Sequence, residues 1–175
     1  MSDERKTSEA LGIAVEMERK GMAFYNEAVT RTSNPFAQEM FRSLANDEKK
    51  HERVFLQMAE ETGVRPSELD EMDPAGPIRR IQAIFKNAAA GIRGQATDQG
   101  NDIKVIQIAK GMEQEAFHFY ASAAGNAEDA LEKEAFEKIA RQENEHWRIL
   151  DDTQLYLTDP AKWHLKEENP LIDGG

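Results

Sequence analysis

Residues 14–25 read AVEMERKGMAFY, and residues 109–120 read AKGMEQEAFHFY. The likeness continues downstream, because residues 14–53 laid over residues 109–148 without a gap are identical at 12 of 40 positions. Chance would give about two or three identities, since two residues drawn from ordinary composition match in about 6% of cases. The chain is therefore predicted to contain a duplicated helical unit, with an offset of 95 residues between the copies.

The repeat carries residues that could bind metal ions. Each copy holds a glutamate and, 30 residues later, a Glu-x-x-His pair. The candidate ligands are Glu18, Glu48 and His51 in the first copy and Glu113, Glu143 and His146 in the second. One Glu-x-x-His arises easily by accident in a chain so rich in glutamate. Two copies at a single offset, each with its partner glutamate, are far more specific and indicate half of a metal site per copy.

Composition and spacing predict an all-α chain. Alanine, glutamate, lysine and leucine are frequent, and runs of β-branched residues are absent, which favours helices over strands. Breakers and caps divide the chain into four long helices, expected at about residues 8–32, 35–62, 101–124 and 127–157. Short turns within each pair predict two antiparallel hairpins joined by a long crossover, which is the ferritin-like way of building a four-helix bundle.

The bundle is assigned to residues 1–158, with hairpins at 8–62 and 101–158. The crossover, residues 63–100, should contain a short helix between residues 77 and 90, where isoleucines and a phenylalanine recur at helical spacing. Asp159-Pro160 is expected to end the regular structure. Residues 159–175 would then form a polar C-terminal tail, partly ordered through Trp163.

Helical spacing places the candidate ligands on the apolar, core-facing sides of the four helices, because residues three, four and seven apart share a face. A buried, unpaired carboxylate costs several kcal/mol, and these faces carry no Lys or Arg near the same level. Two divalent cations would balance four carboxylates. Oxygen-rich ligation with one imidazole per metal suits iron or manganese better than zinc.

Two tyrosines return to the same faces. Tyr25 and Tyr120 lie seven residues beyond Glu18 and Glu113. We expect each to donate a hydrogen bond to a ligating carboxylate, the alternative being a core tyrosine with another partner.

Composition also excludes several classes of function. The formal net charge of −11 disfavours binding to nucleic acid. The chain has no Cys and hence no disulfide, thiolate nucleophile or iron–sulfur centre of its own. No segment approaches the roughly 20 apolar residues needed to span a membrane, and the charged N-terminus lacks a signal core. A cytoplasmic protein is the expectation.

The chain resembles the rubrerythrin family of the ferritin-like superfamily over roughly residues 8–158. The resemblance is carried by Glu-x-x-Gly-x-x-Phe-Tyr at residues 18–25, Glu-x-x-Ala-x-x-Phe-Tyr at residues 113–120 and the two Glu-x-x-His pairs. It implies a non-haem di-iron site in which Glu48 and Glu143 bridge the metals and Glu18 and Glu113 are outer ligands. His51 and His146 would complete one iron each. It also implies reduction of hydrogen peroxide.

The chain departs from the typical pattern in two ways. Rubrerythrins usually append a Cys-ligated rubredoxin domain, whereas this chain has no Cys and would need an external redox donor such as a rubredoxin-like protein. They also tend to carry a further glutamate one turn after the ligand in the third long helix, where this chain has Ala116. Six ligands in place of seven bring the site nearer to a bacterioferritin-type centre.

Three functions are compatible with these observations. The favoured one is a rubrerythrin-like peroxidase with two Fe ions, Mn being possible. The alternative is a ferroxidase or iron-handling protein that oxidises Fe(II) with oxygen or peroxide at the same site. A third is a metal-stabilised interaction module that turns nothing over. The helix expected in the crossover and the polar tail favour a homodimer over a large ferritin cage.

Overall fold

The computed structural model describes residues 3–63 and 99–168. Within these two stretches the chain forms helices and short turns and no strand. The predicted all-α, ferritin-like helical bundle is therefore confirmed, while the predicted crossover helix at residues 77–90 lies outside the described residues. The five helices are α1 (Asp3–Arg31), α2 (Pro35–Glu61), α3 (Gln99–Asn126), α4 (Ala130–Thr158) and α5 (Pro160–Glu168).

The long helices pack as two hairpins. Three residues separate α1 from α2, and three separate α3 from α4, so the partners in each pair run antiparallel. Most contacts lie within these pairs, and smaller contacts of α1 with α3 and of α2 with α4 join the hairpins. Of the helices that the structure describes, none is long and apolar enough to cross a lipid bilayer.

The repeat extends to the helix caps. Asn34 Oδ1 accepts hydrogen bonds from the first backbone N–H groups of α2, and Asp129 Oδ1, at the same offset of 95 residues, does the same for α4. Such caps satisfy donors that a helix start otherwise leaves unpaired. Because Asp129 caps it, α4 begins at Ala130, and the expected start at about residue 127 was wrong. Likewise α1 begins at Asp3, before the expected residue 8, since the charged residues that precede Ser8 favour a helix.

A carboxylate on α3 ties the two hairpins together. Asp102 is fully buried and accepts hydrogen bonds from Ser33 N (2.9 Å), Ser33 Oγ (2.9 Å) and Asn34 N (3.0 Å) in the turn between α1 and α2. Beside it, Asn101 Nδ2 donates to the carbonyl of Arg31 at 3.0 Å. The turn of the first hairpin is thereby held against the start of the second.

The apolar core consists of two clusters, one toward each end of the bundle. One includes Leu11, Val15, Phe55, Tyr120, Phe136 and Ile139, and the other includes Tyr25, Phe41, Leu44, Ile106, Met112 and Leu150. In α1 and α4, residues of one cluster precede the candidate ligands and residues of the other follow them. The candidate ligands therefore lie at mid-height, between two apolar clusters that separate them from both ends of the bundle.

The regular structure does not end at Asp159-Pro160, and that expectation was wrong. Pro160 is the first residue of α5 rather than a stop, because proline suits the first helical position. Asp159 Oδ1 accepts a hydrogen bond from Lys162 N at 3.0 Å, which caps the new helix. Trp163 meets Tyr156 of α4 edge-on at 5.3 Å between ring centroids, as its expected ordering role requires. A short fifth helix is therefore present, and the tail no longer argues against a cage.

Candidate metal centre

All six candidate ligands meet at one level of the bundle. Each of α1 and α3 contributes one glutamate, and each of α2 and α4 contributes a Glu-x-x-His pair, whose members share a face because they are three residues apart. Their exposed fractions range from 1% for Glu18 and Glu143 to 5% for Glu48. Four carboxyl groups and two imidazoles thus share a site that is almost closed to solvent.

The six side chains form two groups of four with two shared members. Glu18, Glu48, His51 and Glu143 make the first group, and Glu48, Glu113, Glu143 and His146 make the second. In each group one potential ligand atom per residue lies within 4.8 Å of the others. Glu48 and Glu143 belong to both groups, which is the arrangement that two cations bridged by two carboxylates require.

Both imidazoles turn the same ring nitrogen toward the carboxylates. His51 Nδ1 lies 3.0 Å from Glu143 Oε1 and 3.4 Å from Glu18 Oε2. His146 Nδ1 lies 3.4 to 3.6 Å from oxygens of Glu48, Glu113 and Glu143. The two rings are nearly parallel, 5.5 Å apart between centroids with 18° between their planes. The histidines therefore occupy related places on the two sides of the centre.

Several of these atoms have no hydrogen-bond partner. The buried, unpartnered atoms include one oxygen of each of the four glutamates, both ring nitrogens of His51 and Nδ1 of His146. Buried polar atoms nearly always have a partner, and leaving one unpaired costs about 1–3 kcal/mol. Apart from Nε2 of His51, the unpaired atoms are carboxylate oxygens and imidazole nitrogens of the two groups and converge on common points. The residues present therefore fit a pair of divalent cations such as iron or manganese.

Each tyrosine donates a hydrogen bond to a glutamate of the opposite hairpin. Tyr25 Oη donates to Glu113 Oε1, and Tyr120 Oη donates to Glu18 Oε1. All four side chains are buried. Burial, together with the charges of these glutamates, raises the pKa of both tyrosines, so that their hydroxyl groups stay protonated. The hydrogen bonds expected from the sequence are present, and they cross between the duplicated halves.

Without a cation, the crowded carboxylates titrate abnormally. Burial and the charges of Glu143 and Glu18 raise the pKa of Glu48, while burial and the charge of Glu143 raise that of Glu113 to about 8. Burial also opposes the charge of Glu143, but its close contacts with the imidazoles of His146 and His51 outweigh that and lower its pKa. Protons thus stand in for part of the positive charge that cations would bring.

The histidines hold much of this positive charge. Burial disfavours imidazolium, yet the contacts with Glu143 and Glu18 outweigh it and raise the pKa of His51 to about 9. Contacts with three glutamates likewise raise the pKa of His146, against the effect of burial. Metal binding to either ring requires its neutral form and so must release these protons.

A small cavity opens onto the carboxylates from the side of α1 and α3. Its volume is about 250 Å³ with the adjoining solvent included, and its inner part has room for roughly one water molecule. Its lining contains all four glutamates and both tyrosines, together with Met17, Gly21, Met112 and Ala116.

Gly21 is a residue that sequence reasoning missed. A methyl group on its Cα would lie 3.0 Å from Oε2 of Glu48, so the carboxylate takes up space that any larger residue would need. The residue related to it by the repeat is Ala116, and since residues 19–23 all differ from residues 114–118, the repeat gave no signal for Gly21. By contrast, His118 is exposed and does not belong to either group of clustered side chains.

In comparison with protein families, the rubrerythrin family model matches residues 9–154. Comparisons with curated proteins and with solved structures gave no significant match. The family match covers most of the chain and includes all six clustered side chains. With four helices that bring two glutamates and two Glu-x-x-His pairs together, the chain belongs to the rubrerythrin family.

Proposed function

We propose that the six clustered side chains bind two iron ions and that the protein is a rubrerythrin-like peroxidase. The observation that carries the proposal is the set of buried, unpartnered ligand atoms, which converge in two groups and share Glu48 and Glu143. Four carboxylates offset the charge of two divalent cations, with the imidazoles neutral. Membership of the rubrerythrin family supports iron, although manganese accepts the same ligands.

The ligand roles are deduced from the two groups. Glu48 and Glu143 would bridge the metals, because each belongs to both groups. Glu18 and His51 would complete one position, and Glu113 and His146 the other. When bound, iron supplies the two electrons that the reduction of a peroxide requires.

The remaining residues hold and protect this site. The hydrogen bonds from Tyr120 and Tyr25 fix the orientation of Glu18 and Glu113, as groups around a metal site commonly do. The cavity next to Gly21 opens onto the carboxylates, and we propose it as the side from which hydrogen peroxide or oxygen approaches. The apolar clusters above and below exclude bulk water.

We infer that the electrons come from outside these 175 residues. With no Cys in its 175 residues, the chain cannot hold the iron of a rubredoxin-type centre. We propose an external redox donor such as a rubredoxin-like protein, and a cytoplasmic setting in which such a donor is present.

Stopped-flow oxidation of protein loaded with two Fe(II) ions tests the peroxidase. We expect hydrogen peroxide to oxidise the loaded protein much faster than oxygen does at equal concentration. Glu48→Ala, which removes a proposed bridging ligand, should abolish this reaction. The reverse order of rates, with oxygen faster, would reject the peroxidase.

A ferroxidase is the second candidate, and one observation favours it. Ala116 lines the cavity one turn after Glu113, where a further glutamate would supply a seventh ligand, so six residues form the cluster among the described residues. A ferroxidase would oxidise many Fe(II) ions per chain with oxygen as the oxidant. Oxygen consumption by the protein in excess Fe(II) therefore distinguishes the two functions.

The oligomeric state stays a prediction, and we propose a homodimer. Sedimentation velocity measures it directly, with a species of twice the 19.8 kDa chain expected. A shell-sized particle would instead support iron storage.

A further inference from the structure

The two sides of the centre differ in a residue behind one of the histidines. His146 turns Nδ1 toward the carboxylates, and its other ring nitrogen, Nε2, lies 3.8 Å from Asp47 Oδ2. This is an ion-pair distance, and a shift of about 1 Å would close it to a hydrogen bond. Asp47 lies on α2, directly before Glu48, so one hairpin supports the histidine of the other.

A neighbouring cation holds Asp47 in place. Lys50 Nζ donates to Asp47 Oδ1 at 2.6 Å, which leaves Oδ2 on the side of His146. The side chain of Asp47 is 31% exposed, so its carboxylate is partly shielded from water. Lys50 therefore fixes one oxygen while the other faces the imidazole.

This support is missing on the other side. At the offset of 95 residues, Gln142 stands in place of Asp47 and Glu145 in place of Lys50. Gln142 is exposed, and Glu145 pairs with Arg148 at 2.9 Å. Correspondingly, Nε2 of His51 is buried without a hydrogen-bond partner among the described residues. The duplication is thus symmetric in its six clustered side chains and asymmetric behind the two histidines.

A carboxylate behind a metal-bound histidine has a known physical effect. By accepting the second ring N–H, it fixes the tautomer and the ring orientation and makes the imidazole a better ligand, and its loss commonly lowers metal affinity 10–100-fold. We propose that the two metal positions are unequal, with the position of His146 filled first, and that Asp47 is the positioning residue that makes it so. The inference rests on the proposed function, because it requires the six side chains to bind two metals.

Partial loading with manganese tests this directly. Metal-free protein is given one Mn(II) per chain, and anomalous scattering from crystals measures the occupancy of each position. Electron paramagnetic resonance of free Mn(II) gives the two affinities in solution. In the wild type we expect the position of His146 to bind about tenfold more tightly, the lower end of the usual range because Asp47 is partly exposed.

Two variants distinguish the specific effect of Asp47 on metal affinity from a general effect of negative charge. Asp47→Asn keeps the size and removes the charge, so the affinity at the position of His146 should fall about tenfold and the difference should vanish. Glu145→Gln removes one negative charge at the same level of the bundle, from a side chain 61% exposed, and should leave the order of filling unchanged. An equal fall in both variants would overturn the proposal.

The repeat offers the converse variant. Gln142→Asp places a carboxylate where the second hairpin lacks one and should raise the affinity at the position of His51. In the double variant Asp47→Asn/Gln142→Asp, the order of filling should reverse. Equal occupancy in the wild type rejects the inequality, and an unchanged order in the double variant rejects Asp47 as its cause; neither result rejects the metal site. No manganese at either position rejects the metal site itself. Thermal melts of the metal-free variants check that each one folds.

Discussion

At the scale of single residues, the hydroxyl of Tyr120 is the clearest target. It donates to Glu18 within the core, and its removal leaves a buried carboxylate oxygen without that donor. We expect Tyr120→Phe to lower the free energy of unfolding of the metal-free protein by about 1–3 kcal/mol, measured by urea denaturation. Tyr156→Phe is the control, since its half-buried ring contacts Phe36 and Trp163, and should change stability by less than about 0.5 kcal/mol. Equal losses in the two variants would contradict the hydrogen bond.

The buried titrating groups predict how stability depends on pH. In the metal-free protein, the pKa of Glu113 is raised from 4.5 to about 8 and that of His51 from 6.5 to about 9. Between pH 4.5 and about pH 8, Glu113 holds a proton in the folded state that it has lost in the unfolded state. The same is true of His51 between pH 6.5 and about pH 9. Such a group stabilises the folded state fully below its unfolded pKa and loses that contribution as pH rises through its folded pKa.

We therefore expect the Tm of the metal-free protein to fall from about pH 5 to about pH 9. Circular dichroism melts in the presence of a chelator measure it. The lowered pKa of Glu143 acts only below pH 4.5, outside this window. Metal-loaded protein should not show the fall, because cations replace the protons. A constant or rising Tm without metal would count against the buried cluster.

At this scale the sequence predicted a good deal. Helical spacing and the repeat placed Glu18, Glu48, Glu113 and both tyrosines on core-facing sides, and the structure brings them together. That the glutamates bind metal stays a prediction. The contact of Gly21 with Glu48 was missed because it depends on how closely α1 and α2 approach, which no local pattern encodes.

At the scale of helices and turns, Asp102 connects elements that are far apart in the sequence. Asp102→Ala would leave three donors of the turn between α1 and α2 without their acceptor. We expect the free energy of unfolding to fall by about 2–3 kcal/mol. The fall is no larger because water reaches part of the turn and can bond to some of these donors. Asp129→Ala, which removes a cap within one hairpin, should cost only about 1 kcal/mol. Urea denaturation compares the two, and a larger loss for Asp129→Ala would contradict the tie between hairpins.

The misplaced helix boundaries have a common cause. Asp159-Pro160 was interpreted as a break and residues 127–129 as the start of a helix, whereas Asp159 and Asp129 each cap a helix that begins at the next residue. Aspartate and proline both end one helix and begin another, so the sequence locates the junction without deciding whether a coil or a helix comes after it. The tie through Asp102 joins residues almost 70 positions apart and leaves no local signature at all.

At the scale of the whole molecule, bound metal should stabilise the fold. A ligand that binds only the folded state adds about 2.7 kcal/mol at 100 times its Kd, so Fe(II) or Mn(II) should raise the Tm of the wild type. Glu48→Ala should stay folded without metal and show no such rise, since both metal groups lose a member. Glu39→Ala, at an exposed position paired with Arg42, should respond like the wild type. A wild type that melts at the same temperature with and without metal would contradict the site.

The crossing hydrogen bonds of the tyrosines bear on how such a protein could have arisen. Each hairpin supplies its hydroxyl to the acid of the other, so a half-length ancestor carrying one hairpin would have left both groups unsatisfied. It could have completed the centre only by pairing with an identical copy of itself. Fusion of two such genes would have preserved the paired arrangement within one polypeptide, and would have freed the halves to diverge at positions such as Asp47 and Gln142.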